Sequence, residues 1–248
     1  MTSEPTRTVD ARDLRFAYGR GRDVLDLAHF HVDAGEKVFL RGPSGSGKST
    51  LLGLIAGVLQ PQSGVLTVLG EDLSALSAGR RDKLRAEHLG VVFQLFNLLP
   101  YLSVIDNVVL PCRFSRARKA RAEASHGSQA KAAKTLLSQL GLTDPALLMR
   151  PARDLSVGQQ QRVAAARALI GRPRLVIADE PTSALDADTR DAFLSLLIAE
   201  CSAAGASLIF VSHDAGLAGL FDRSVDLMAI NRATQNLPVD AANVGAGA

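Results

Sequence analysis

EKVFLRGPSGSGKSTLLGLIAGVL, residues Glu36 to Leu59, decides the fold. A short apolar run enters a turn carrying Gly42, Gly45 and Gly47, and an apolar stretch at helical spacing leaves it. Strand, glycine turn and helix in that order form the repeating unit of wound α/β sheets. The turn matches G-x-x-x-x-G-K-[ST], with Gly42, Gly47, Lys48 and Ser49 in the fixed places. Glycine lets successive backbone N–H groups face one side, and each costs about 0.5–1 kcal/mol where that freedom goes unused. Three within six residues therefore point to a phosphate-binding loop. Gly42, Pro43, Ser44, Gly45, Ser46, Gly47, Lys48, Ser49 and Thr50 are expected to cradle a nucleotide. Lys48 reaches the β- and γ-phosphates in this reading, and the Ser49 hydroxyl holds Mg²⁺.

Working outward, Val9 to Val32 alternates in short runs such as VLDLAHFHV, as antiparallel strands with one wet face do. Bounded apolar runs follow in GVLTVLG, LGVVFQ, RLVIADE, ASLIFVSH and SVDLMAI, interleaved with helical stretches such as TRDAFLSLLIAECSAAG. They predict a mainly parallel wound sheet covered on both faces, beside an antiparallel β subdomain and a helical subdomain. No internal repeat occurs, so the whole of 1–248 reads as a single domain with one nucleotide module. Its core lobe takes 1–94 and 155–230, a helical lobe takes 95–154, and 231–248, which ends in LPVDAANVGAGA, is expected to be a loose tail.

RLVIADEP delivers Asp179 and Glu180 to the carboxyl end of a buried strand, where ligands of open α/β sheets collect. Burying adjacent carboxylates without partners costs several kcal/mol, so a metal and a polarised water account for them. Asp179 is expected to hold Mg²⁺ and Glu180 to orient or deprotonate the attacking water. His213 arrives at the same sheet edge at the end of ASLIFVSH, and Gln94 closes LGVVFQ.

Composition narrows the function. The net charge is only +3, and its basic residues are not interleaved with aromatics, so nucleic acid is not expected as a partner. In RFSRARKARAEASHGSQAKAAK seven Lys or Arg stand against one Glu, a run read as a solvated helix face or, failing that, a contact for anionic lipid or a partner. Cys112 and Cys201 are too few and too distant for a metal knuckle and read as packed, reduced thiols. The opening MTSEPTRTVD lacks a secretory apolar core and no run of eighteen apolar residues occurs, so any membrane association is expected through a partner.

LSVGQQQR, Leu155 to Arg162, then offers a second helix start suited to an anion, far along the chain from the first. Together these elements resemble the ATP-binding cassette (ABC) ATPases over about residues 8–230. The matching parts are GPSGSGKST as Walker A, Gln94 as the Q-loop glutamine, LSVGQ as the signature and LVIADE as Walker B. SALD, Ser183 to Asp186, corresponds to the D-loop, His213 to the switch histidine, and Tyr18 to the aromatic that stacks on adenine.

The resemblance implies ATP and Mg²⁺ as cofactors, ATP hydrolysis as the activity, and Glu180, His213, Gln94 and Lys48 as catalytic residues. It implies Ser49, Gln94 and Asp179 at the metal. Tyr18, Ser156, Gly158, Gln159 and Asp186 join the phosphate loop in binding nucleotide, the signature residues acting from the opposite chain of a head-to-tail homodimer. Val157 stands where the family usually has a second glycine, and a position demanding positive φ would suit valine badly.

FQLFNLLPYLSVIDNVVLP looks like the lipoprotein-releasing and macrolide-export group. It implies a membrane permease docking near 95–110, with the chain cytoplasmic and peripheral on the inner face of the membrane. A polar amino-acid importer ATPase and a mechanical signalling ATPase controlling a cell-wall enzyme stay open as alternatives.

Overall fold

The computed structural model describes residues 6–183 and 185–235. Strands β1 (Arg7–Ala17) and β2 (Asp23–Asp33) run antiparallel, with Val9 opposite Val32 and Leu14 opposite Leu27. These four residues are fully buried while Arg12 and Arg15 stay wet, the alternation of a half-buried sheet. Strand β3 (Lys37–Arg41) begins a second sheet, and helix α1 (Lys48–Ile55) leaves the glycine turn.

Strand β4 (Ser63–Val68) departs from expectation. By its apolar content GVLTVLG reads with the parallel strands, yet β4 pairs antiparallel with β1, Val68 opposite Val9, and with the two-residue β5 (Glu71–Asp72). Its own alternation supplies the reason: Leu66 and Val68 are fully buried whereas Val65 is 47% exposed. A strand with one wet face belongs at a half-solvated sheet rather than between two helical layers.

Helix α2 (Ala78–His88) leads into β6 (Leu89–Val92), and β7 (Leu175–Asp179), β8 (Ser207–Val211) and β9 (Arg223–Asp226) complete the second sheet. Its order is β6-β7-β8-β3-β9 and every pairing is parallel. The run SVDLMAI is strand only as far as Asp226, whose carboxylate accepts the Met228 N–H at 3.0 Å and starts the short helix α8 (Leu227–Ile230).

Successive β3 residues face opposite sides. Val38 and Leu40 join a core with α1 and the antiparallel sheet, while Phe39 joins the other core, against the rings of Phe210 and Phe221.

The region 95–154 holds α3 (Val104–Phe114), α4 (Arg116–His126) and α5 (Gln129–Gln139). Ser103, Ser115 and Ser128 start them by accepting the N–H of Asp106, Arg118 and Lys131. Helix α6 (Val157–Leu169) packs on α3 and α5 through residues such as Val163 and Ala164, so the helical layer continues past residue 154. Helix α7 (Ala187–Ala204) lies beside α6.

Two expectations need amendment. The basic run is not wholly a solvated face. Arg118 is buried, donating from Nε to Ile170 O at 2.9 Å and from its other nitrogens to Leu89 O and Ala168 O. Burial, opposed by Cys112 and helped by the like charge of Arg121, brings its pKa down to about 10. Arg121 similarly binds Gly171 O and Glu87 O. These two arginines pin α4 to the end of α6 and to the α2–β6 junction.

Nor is the chain loose from residue 231. Asn231 is fully buried, with Nδ2 donating to Val24 O at 2.9 Å and Ser46 O at 3.1 Å and Oδ1 accepting the Asp26 N–H. Helix α9 (Arg232–Gln235) follows and packs on β2. The rest of the expected tail, 236–248, lies outside the described residues.

Candidate functional site

Helix α1, the end of β6 and the ends of β7 and β8 surround a cavity of about 400 Å³. The phosphate loop, Gln94, Glu180 and His213 all line it, although they span 170 positions of sequence from Ser44 to His213.

Gly47 precedes α1 at φ 98°, and a Cβ there would meet Leu25 Cδ2 at 2.7 Å, so both backbone angle and β2 packing require glycine. Lys48 is 6% exposed and donates from Nζ to Gly42 O at 2.7 Å and Pro43 O at 3.0 Å. Its ammonium therefore crosses the mouth of its own loop, positioned for phosphate oxygens.

The Ser49 hydroxyl donates to Asp179 Oδ2 at 3.3 Å, joining the start of α1 to the end of β7. Burial pushes the Asp179 carboxyl above its ordinary range, the Ser49 bond opposes this, Glu180 pushes it further up and Lys48 draws it down. A carboxylate costly to ionise, bonded to the Ser49 hydroxyl, with the Gln94 amide on the wall of the same cavity as Ser49, is a hard-oxygen donor set suited to Mg²⁺. Among the described residues no cluster of three or more His, Cys, Asp or Glu exists, so such an ion would take most remaining ligands from phosphate and water.

Glu180 is bent into the left-handed region at φ 46°, an uncommon conformation for glutamate, while its N–H still reaches Val211 O at 3.1 Å. The bend carries Oε1 to 2.5 Å from His213 Nε2, with the glutamate mostly buried and the imidazole half exposed. A base and a proton-bearing ring thus face each other at the cavity rim.

Other residues singled out from the sequence stand near the cavity or apart from it. Tyr18 packs edge-on to Phe16 at 5.0 Å and its hydroxyl lies 3.2 Å from Thr50 Oγ1, leaving the ring 58% exposed beside α1. Ser156, Gly158, Gln159 and Asp186 do not line the cavity.

Ser156 Oγ accepts the Gln159 N–H at 3.3 Å and Gln159 Oε1 accepts the Ser156 N–H at 3.0 Å, a capping box that the S-x-x-Q spacing could have disclosed. Asp186 caps α7 by accepting the Thr189 N–H at 2.9 Å, which holds its carboxyl below the usual range.

Val157 is the first residue of α6 and is not in the left-handed region, so the expected conflict with positive φ does not arise. What remains is a side chain 47% exposed. A Cβ on Gly158 would touch only Thr189 Cγ2, at 4.0 Å, so nothing inside this chain requires that glycine.

Sequence reasoning missed Arg190, whose guanidinium binds Asp214, the neighbour of His213, as well as Asp191. The stretch 95–110, expected at the permease contact, is part surface and part core: Leu95 and Tyr101 are exposed. Phe96, Val104 and Val108 from 95–110 are buried in the core. The groove beside them, about 1120 Å³, is lined from outside that range by Arg85, Val91, Phe93, Phe114 and Arg116, with Asn97 and Leu110 from within it.

Comparison with known proteins follows the same lines. The ABC transporter family model matches residues 25–183. The chain is 39% identical to the lipoprotein-releasing system ATP-binding protein LolD 2 of Rhodospirillum rubrum, covering 89% of this chain and 93% of that protein. It is 42% identical to LolD of Anaeromyxobacter dehalogenans, covering 90% and 91%. Against the uncharacterized ABC transporter ATP-binding protein YbbA of Escherichia coli it is 42% identical, covering 89% and 94%. Among solved structures, the dimeric post-hydrolysis state of the ATP-binding cassette MJ0796 bound to ADP and Pi superposes with a TM-score of 0.76 at 32% identity, over 88% of this chain and 93% of that one.

Proposed function

The chain belongs to the ABC transporter family as its ATP-hydrolysing subunit, and from that premise we propose that it drives a separate membrane permease of the lipoprotein-release or macrolide-export kind by dimerising around ATP.

The observation that carries the reaction is the meeting of two pairs at one cavity: Glu180 with His213, both on its wall, and Ser49, also on its wall, bonded to Asp179 behind it. The phosphate-loop amides and Lys48 bind the phosphates. Ser49, Asp179 and Gln94 would hold Mg²⁺, which when bound neutralises charge developing on the phosphoryl oxygens. Glu180 takes the proton from the attacking water, and His213 holds the carboxylate at the angle that its left-handed backbone provides. Tyr18, exposed beside α1, offers its ring to the base.

Ser156, Gly158, Gln159 and Asp186 act on the nucleotide of a second copy. Support comes from Gly158, which no contact within this chain requires, and from the dimeric state named for MJ0796. One helix start gives about 0.3–1 kcal/mol toward an anion, too little to hold ATP alone but enough, contributed twice, to bias closure.

The groove between α2 and the α3–α4 junction receives the permease. No helix among the described residues is long and apolar enough to cross a membrane, and we place the chain at the cytoplasmic face, held there by that partner. The LolD relatives support the lipoprotein-release reading over amino-acid import.

Glu180→Gln tests the scheme. It is expected to keep ATP affinity within about threefold, lose more than about 99% of turnover, and elute as a dimer when ATP is present. Hydrolysis at the original rate would show that Glu180 is not the base.

A further inference from the structure

We propose that Arg167 is a positioning residue for hydrolysis: its guanidinium fork holds the loop after Gln94 in a left-handed turn and thereby sets where Gln94 stands in the nucleotide cavity. This role rests on the assignment of Gln94 to that cavity's chemistry.

Arg167 lies near the end of α6 and is 9% exposed. Burial draws its pKa below the ordinary value, and among the described residues no carboxylate pairs with it. Its partners are two consecutive carbonyls: NH1 donates to Asn97 O at 2.7 Å and NH2 to Phe96 O. Phe96 and Asn97 both have positive φ, 57° and 48°. Asparagine tolerates that region, whereas a bulky aromatic there is an outlier that persists only when its surroundings over-determine it.

Those surroundings are few. The Phe96 ring sits in the core with Val104 and Val108, the Phe96 and Asn97 N–H groups turn back to Phe93 O and Leu95 O, and Arg167 takes the two outward carbonyls. Two donors in a planar fork match two successive carbonyl oxygens, a geometry that a lysine ammonium does not reproduce.

The loop so held begins at the cavity and ends at the groove. Gln94 lines the first, while Phe93, Asn97 and Arg167 itself line the second. Arg167 is also ten positions, about 15 Å along the axis, from Val157 at the start of the same helix. One buried cation therefore connects the nucleotide cavity, the groove and the helix that begins with the signature. A charge buried without a counter-charge is an expensive way to fill space. The return for that expense is the geometry of the Gln94 loop.

The test uses the full chain with ATP and Mg²⁺ in three variants: Arg167→Lys, Arg167→Lys with Asn97→Gly, and Gln94→Ala as reference. Arg167→Lys is expected to lower kcat about tenfold with KM for ATP within about twofold, the pattern of a displaced group rather than lost binding. Amide hydrogen exchange over residues 95–98 should quicken about tenfold without nucleotide, a readout that survives any loss of activity. Adding Asn97→Gly, which removes the lesser part of the left-handed strain, that at position 97, should recover part of the lost kcat.

Wild-type kcat in Arg167→Lys, unchanged exchange over 95–98, or a loss that Asn97→Gly leaves untouched overturns the proposal. If Gln94→Ala hydrolyses at full rate, the assignment of Gln94 falls and the proposal with it. If Gln94→Ala is slow and Arg167→Lys is not, the role of Arg167 alone is refuted.

Discussion

Gly158→Ala separates what this chain needs from what its assembly needs. A methyl group at position 158 would meet nothing closer than Thr189 Cγ2, an ordinary contact at 4.0 Å, and the backbone there is not left-handed. Within the first turn of α6 the substitution therefore brings only the helix preference of alanine, at most about 0.5–1 kcal/mol and nearer the lower figure at a helix start. For a chain of this size that raises Tm by about 1–2 °C. In the proposed dimer the same methyl would stand against the partner copy's nucleotide, where a phosphate oxygen would require close backbone approach. Turnover is expected to fall about a hundredfold, and gel filtration of Gly158→Ala combined with Glu180→Gln should show no ATP-dependent dimer. Differential scanning fluorimetry on the nucleotide-free protein and a phosphate-release assay read the two effects separately. A Tm that drops, or turnover at the original rate, refutes the reasoning, because the first means that the chain itself needs the glycine and the second that no partner does.

Asp179→Asn should stabilise the chain free of nucleotide and Mg²⁺. The folded-state pKa of Asp179 is raised, chiefly by burial, so the stability it contributes is fully present only below its unfolded value of 3.8 and is lost as pH rises through the folded value. At pH 7 the substitution is expected to raise Tm by about 1–2 °C and to cut Mg²⁺-dependent hydrolysis more than tenfold, the usual exchange between stability and function. The Tm gain shrinks as pH falls toward 3.8; a gain independent of pH would refute burial as its cause. Val157→Gly should raise turnover or ATP-driven dimerisation about twofold to fivefold by clearing an exposed side chain, while costing about 0.5 kcal/mol of helix preference. No change in either shows the side chain to be neutral.

The legible parts of the site were those whose chemistry is local. The glycine spacing before Lys48 and the paired acids at the end of RLVIADE identify themselves because a phosphate cradle and a strand-end carboxylate each need particular residues in immediate succession. The strand β4 reads as parallel because its apolar content outweighs its alternation: Thr67 between Leu66 and Val68 is the one polar mark of the wet face, and Val65 on that same face hides it. The capping box of Ser156 and Gln159 was equally visible and was obscured by the ligand role expected of both residues.

Arg118, Arg121, Arg167 and Asn231 belong to a different class. Their partners are backbone oxygens from remote elements, such as Ile170 for Arg118 and Ser46 for Asn231. A carbonyl exists at every position, so no pattern of residue types reveals which one a distant side chain will find. An arginine in a basic run therefore looks the same in sequence whether it faces water or anchors a helix.

The parallel sheet acts as a bulkhead between two oily compartments. Phe39 feeds one and its neighbours Val38 and Leu40 feed the other. The helix that grips phosphate, α1, grows from one compartment, whereas α3 and α6, which border the groove and carry the signature, grow from the other. Repacking on the α3 side is separated from α1 and the phosphate loop by a full strand layer, and meets the nucleotide cavity only around the strand ends, through the Gln94 loop that Phe96 and Arg167 hold. A lineage can therefore remodel what this engine pulls on through substitutions at one set of buried positions, while the phosphate loop behind the partition keeps its shape and the Gln94 loop alone feels the change.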